Sequence, residues 1–169
     1  MLFFPFRESG FRRILSCLLV SLSSLILFGA PAWAAEVDVY VRRYLDVQQP
    51  VSLPLDSQEQ VRSFSATDLT AGKRFFEENC KNCHVGGSTL PDPTVPLSLQ
   101  ALKGAVPPRD NIQSLVAFLR KPMTYNGTDE TDFCRAVPES WLSETEAENV
   151  AAFILRSAQK APGWGNTTF

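Results

Sequence analysis

The chain has 169 residues, 44% of them hydrophobic, with 16 basic and 18 acidic side chains and a formal net charge of −2. This length suits one packed domain. The slightly acidic balance argues against nucleic acid or an anionic membrane surface as a partner.

The first 34 residues read as a cleaved signal peptide. Arg7, Arg12 and Arg13 form a positive start, residues 14–28 are an apolar run too short for a membrane span, and Ala32-Trp33-Ala34 supplies an A-x-A cleavage site. Cleavage after Ala34 leaves residues 35–169 as one domain with no integral membrane span. It removes three arginines and one glutamate, so 13 basic residues face 17 acidic ones, a net charge of −4. Residues 35–49 lack a clear period and read as an arm with partial helix. Residues 51–55 and 60–64 alternate apolar and polar side chains around Asp56-Ser57-Gln58-Glu59. That pattern predicts a small β-hairpin, with Pro54 confining the first strand to an edge.

Ser65, with Asp68 three residues on, marks a helix start. Leu69, Gly72, Phe75 and Phe76 form its buried stripe, and the helix runs into Cys80-Lys81-Asn82-Cys83-His84. Cys-x-x-Cys-His is the attachment signature of c-type haem: both thiols form thioethers to the haem vinyl groups, and the imidazole becomes an axial iron ligand. One covalently bound haem c per chain is therefore expected. A redox dithiol would want a βαβ context, which is absent. A Cys₃His zinc site from Cys80, Cys83, His84 and Cys134 requires the adjacent Cys83 and His84 to ligate one ion, an awkward demand. His84 is the only histidine, so the sixth iron position needs another ligand. No imidazole remains for a hydrolytic triad, and no phosphate loop appears.

Gly86-Gly87 predict a sharp turn, and residues 88–97, with Pro91, Pro93 and Pro96, an extended loop. Residues 98–103 read as one or two helical turns. Pro107-Pro108-Arg109-Asp110 opens a helix with Ile112, Leu115, Val116 and Leu119 on one face, ended by Pro122. Residues 124–142 have little periodicity and are expected to wrap the far side of the haem. Ser143 and Glu146 form a capping box before a last helix with Ala147, Val150, Ala151 and Ile154 on one face, stopped by Pro162-Gly163. Phe75, Phe76, Leu115, Leu119 and Ile154 are expected to pack on the haem. The order predicts an all-α, monohaem cytochrome c fold with a small N-terminal β-hairpin.

The chain also resembles the cytochrome c-550 family, the extrinsic haem subunit on the lumenal side of cyanobacterial photosystem II. The resemblance lies in Gly72-Lys73-Arg74-Phe75, the Cys80 to Gly87 stretch, Pro107-Pro108-Arg109-Asp110-Asn111-Ile112, and Pro122-Met123-Thr124-Tyr125-Asn126-Gly127. It implies a low redox potential, electron transport in photosynthesis and a thylakoid-lumen address, peripheral to the membrane. Photosystem II lumenal subunits or a soluble redox partner are the implied partners. Family members use a second histidine as distal ligand shortly after the Tyr-x-Gly segment, and Cys134 falls almost there. The family's Tyr-Tyr ending, which resembles the part used in docking, is replaced by Asn166-Thr167-Thr168-Phe169.

Cys134 is the first candidate for the distal iron ligand, as a thiolate. Met123, which directly follows a helix-ending proline, is the second, and water or an open position the third. Thiolate ligation stabilises ferric iron and predicts a low potential; methionine would raise it. The expected function is electron transfer or photosystem II association with His/Cys axial ligation, not enzymatic. The alternative is a haem enzyme or sensor of sulfur-compound or redox chemistry, in which the cysteine ligand leaves.

Overall fold

Among the described residues every α-helix begins where a polar side chain closes its first turn. The computed structural model describes residues 36–90 and 95–166; the expected signal peptide, Pro91 and Pro93 of the loop, and the last three residues of the tail lie outside the described residues. Asp38 caps α1 (Val39–Arg43) by accepting from the amides of Tyr40 and Val41. Ser65 and Asp68 form the expected reciprocal box at α2 (Ala66–Asn79). Ser98 caps α3 (Leu99–Gly104), Asn111 and Ser114 open α4 (Ile112–Arg120), and Ser143 with Glu146 opens α5 (Glu144–Lys160). Residues 107–110 precede α4 instead of opening it. Asn111 takes the cap, and the Arg109 amide is drawn away to the Leu102 carbonyl at 2.8 Å.

Strands β1 (Val51–Pro54) and β2 (Val61–Phe64) form the antiparallel hairpin, with Val51 opposite Phe64 and Pro54 opposite Val61. Leu53 and Phe64 are buried, and Arg62 pairs with Glu148 to tie the hairpin to α5. The fold is thus mostly helical with one two-stranded sheet, as the residue pattern predicts. Among the described residues no helix is long and apolar enough to cross a membrane.

Helix α5 is the axis of the core. Burial extends beyond the predicted stripe to Ala152, Phe153, Leu155 and Ser157, because α2, α4 and the hairpin pack on different sides of it. The closest approach is at Gly72 of α2. A Cβ built there would lie 2.0 Å from the Asn149 carbonyl oxygen, so no other residue fits without separating the helices.

Helix α1 is held to α2 by polar contacts. The Asp38 amide donates to Thr70 Oγ1 at 3.1 Å, and Lys73 Nζ donates to Asp38 at 2.9 Å and Glu77 at 2.8 Å. Burial works against charge on Asp38, but the Lys73 ammonium and the Tyr40 and Val41 amides outweigh it and lower the carboxyl pKa. Burial likewise opposes charge on Lys73, yet Glu77 and Asp38 raise its pKa above the ordinary lysine value.

Two outcomes follow from these contacts. Gly72→Ala should lower unfolding free energy by about 3 kcal/mol or more, since the neighbour that must give way is backbone; denaturant titration measures it. Lys73→Met should lower the melting temperature most near neutral pH. The lowered Asp38 pKa keeps that carboxylate's contribution fully present above about pH 4, so the gap between variant and wild type should close only as pH falls below that value.

Candidate functional site

The end of α2 builds one wall of the site. The Phe76 carbonyl accepts from the amides of Cys80 at 2.8 Å and Lys81 at 2.9 Å, and the Cys80 carbonyl then accepts from Cys83 at 3.1 Å and His84 at 3.0 Å. The helix therefore tightens into a turn that presents both thiols and the imidazole to one cavity. A 3-10 turn, Val85–Gly87, follows, with Gly86 at φ +57° and Gly87 at φ +79°. Gly87 is required twice over, by its left-handed backbone and because a Cβ there would lie 2.6 Å from the Trp164 indole.

The indole closes the wall from behind. Trp164 Nε1 donates to the Leu97 carbonyl at 2.9 Å, and the Gly165 amide donates to Gly86 at 2.8 Å. Phe76, Phe153 and Trp164 pack tilted and edge to face with ring centroids 5.4–5.8 Å apart, in the range of favourable aromatic pairs. His84 lies against this cluster, 6.4 Å from the Phe76 ring.

The His84 ring is oriented by its own loop. Nδ1 lies 3.2 Å from the Ser88 carbonyl oxygen. A carbonyl only accepts, so Nδ1 holds the proton and Nε2 is left with the lone pair. Burial lowers the imidazole pKa, with the Ser88 carbonyl opposing. A neutral imidazole with a free Nε2 is the form a metal ion takes.

The opposite wall has almost no regular structure. Pro122 ends the helical run, and the chain folds back through Asn126-Gly127, with Met123 bridged to Glu130 and Thr124 N bonded to Asp129 O at 2.8 Å. Two arginines hold this segment at its ends. Arg109 Nη2 donates to the Met123 and Thr124 carbonyls at 3.0 and 2.6 Å, with its guanidinium 4.1 Å from the Phe118 ring centroid. Arg120 Nη1 donates to the Val137 and Leu142 carbonyls at 2.9 and 2.8 Å.

Between the walls lies a cavity of about 540 Å³, within the size range of cofactor pockets. Cys80, Cys83, His84, Met123 and Cys134 all line it, as do Phe75, Phe76, Leu115, Leu119 and Ile154, the residues expected to pack on the haem. Burial, with Cys134 and Cys83 nearby, pushes the Cys80 thiol up to about 11. Burial and Cys83 raise Cys134 too, while Arg109 pulls it back down. Cys80, Cys83 and Cys134 thus share one neighbourhood, and no disulfide joins them. Among the described residues no three His, Cys, Asp or Glu side chains stand close enough to hold a bare metal ion, which removes the geometric basis of the zinc alternative. Two thiols and a correctly protonated imidazole on one apolar wall fit a covalently held haem.

Sequence reasoning missed the roles of Arg109, Arg120 and Trp164. Arg109 stood in the Pro-Pro-Arg-Asp-Asn-Ile string, but only the fold shows what its guanidinium holds.

A family model described as the cytochrome c-550 domain matches residues 44–169. A cytochrome c-550-like protein of Trichodesmium erythraeum is 55% identical over 141 residues, 83% of this chain and 86% of the other. The photosystem II extrinsic protein V of Gloeobacter violaceus is 54% identical over 132 residues, 78% and 71% of the two chains. The crystal structure of the PsbV2 cytochrome from Thermosynechococcus elongatus superposes with a TM-score of 0.76 at 59% identity. It covers 78% of this chain and 100% of that one.

Hydrogen bonds from a charged donor contribute about 1.5–3 kcal/mol. Arg109→Leu should therefore destabilise the chain by that amount in denaturant titration. Arg109→Lys, which keeps the charge but not the planar fork, should recover less than half of the loss.

Proposed function

Because the chain belongs to the cytochrome c-550 family, we propose that it works as a low-potential electron-transfer cytochrome in the thylakoid lumen, bound peripherally to photosystem II, with Cys134 opposite His84 on the iron. It carries one covalently bound haem c, and the named relatives are cytochromes and a photosystem II subunit rather than enzymes. The observation that supports the ligand assignment is the shared cavity: the Cys80–His84 turn forms one wall, and Cys134 and Met123 stand on the segment that forms another.

Bound haem supplies a one-electron redox centre. Cys80 and Cys83 would hold it through thioethers, and the cleaved leader of residues 1–34 would bring the chain to the compartment where they form. His84 would offer Nε2 to the iron, its proton kept on Nδ1 by the Ser88 carbonyl. Cys134 would supply the sixth ligand. Burial disfavours its thiolate in the metal-free chain, but coordination to a metal deprotonates a thiol outright. A Cys134 thiolate would bring negative charge to the iron and so would favour the ferric state and a low potential. Met123, which also lines the cavity, is the second choice, because it directly follows the helix-ending Pro122 in a segment whose counterpart in the family is not a ligand. Apolar side chains around the cavity limit water access, which steadies the potential and confines the chemistry to electron transfer.

The ferric optical and electron paramagnetic resonance spectra test the ligand. Wild type should give a low-spin thiolate-type signal that Met123→Leu leaves intact and Cys134→Ala abolishes. An unchanged low-spin spectrum in Cys134→Ala overturns the assignment. The partner is tested separately: the protein should co-purify with photosystem II, and its absence from the washed complex overturns peripheral binding.

A further inference from the structure

The hydrogen-bonding partner of His84 has a second member that the proposed function leaves unused. Thr89 Oγ1 lies 3.1 Å from His84 Nδ1, as close as the Ser88 carbonyl oxygen at 3.2 Å. The same hydroxyl donates to the Val95 carbonyl. A hydroxyl has one proton and two lone pairs, and a carbonyl can only accept. With the proton committed to Val95, Thr89 Oγ1 faces Nδ1 as an acceptor. We propose that Thr89 is a positioning residue for the axial histidine, relaying a hydrogen bond from His84 Nδ1–H through its hydroxyl to the Val95 carbonyl and so tuning the potential of the iron; this rests on the reading of His84 as the proximal ligand.

The physical effect follows from the direction of the relay. An imidazole whose Nδ1–H is shared with good acceptors gains basicity at Nε2, and each hydrogen bond in a chain polarises the next. A more basic Nε2 stabilises ferric over ferrous iron. Ser88 supplies one acceptor through its backbone, which no substitution removes. Thr89 supplies the other through its side chain, so it is the part of the pair that sequence can vary. The local fold keeps the hydroxyl in place: the Leu90 amide donates to Cys83 at 2.9 Å and the Leu97 amide to Gly87 at 2.6 Å, which secures the loop on both sides of the relay.

Haem-loaded wild type, Thr89→Val, Thr89→Ala and Thr89→Ser are compared by potentiometric titration and by the iron–histidine stretch in resonance Raman spectra. Valine is close to threonine in shape and lacks the hydroxyl; serine restores it. Thr89→Val and Thr89→Ala should shift the equilibrium toward ferrous iron severalfold, up to about tenfold or ~59 mV for one electron, and lower the stretching frequency. Thr89→Ser should stay near wild type in both. If all three variants match a haem-loaded wild type, the relay is overturned alone. If serine moves as far as valine and alanine, the effect is one of packing and the relay is also overturned. If wild type holds no thioether-bound haem, the relay falls together with the reading beneath it. Alanine keeps the comparison decisive should valine fail to fold.

Discussion

Helices α2 and α5 meet backbone to backbone at Gly72, and the position of the site follows from that contact. Only a residue without a Cβ lets the Asn149 carbonyl come so near. The approach sets the C-terminal end of α2, where Cys80 begins the haem turn, against the stretch of α5 that supplies Phe153 and Ile154. One wall of the cavity and part of its floor are therefore placed by a single helix crossing. A small domain gains a second core surface when a large flat apolar group fills such a space, so packing around α5 and cofactor binding reinforce each other.

The two walls are stabilised by different physics. On the histidine side, helix geometry, a left-handed glycine turn and a cluster of tilted aromatic rings fix the chain through regular structure and packing. On the cysteine side there is little of either, and side-chain cations do the fixing. Arg109 and Arg120 each direct one nitrogen at two backbone carbonyls, satisfying acceptors that a helix or sheet would otherwise have satisfied. The arrangement lets a segment without periodicity present a chosen side chain at a defined place. It also leaves Phe133, next to Cys134, 66% exposed, which a packed wall would not.

Much of this was legible from residues. The boxes at Ser65 and Ser143, the hairpin and the thiol and imidazole turn all rest on local rules, and local rules survive in three dimensions. The two prolines point to a start of α4 a few residues too early, because Asn111 is a better cap than the residues before it. Burial on α5 is broader than its apolar stripe implies, because one stripe serves one packing partner and α5 has several. The arginine clamps and the Trp164 closure were invisible for a plainer reason: their partners are backbone carbonyls, which every residue has, so no pattern in side chains announces them.

Trp164 has a consequence in time as well as in space. Its indole caps the loop behind His84 by bonding to a carbonyl 67 residues earlier in the chain. A chain exported before it folds holds both ends of that contact from the start, but a closure over so long a loop forms slowly. Until it forms, the cysteine pair and its histidine stand without the contact that covers their back. The reactive turn is thus open to modification before the chain folds, and this closure is one of the contacts that end the interval.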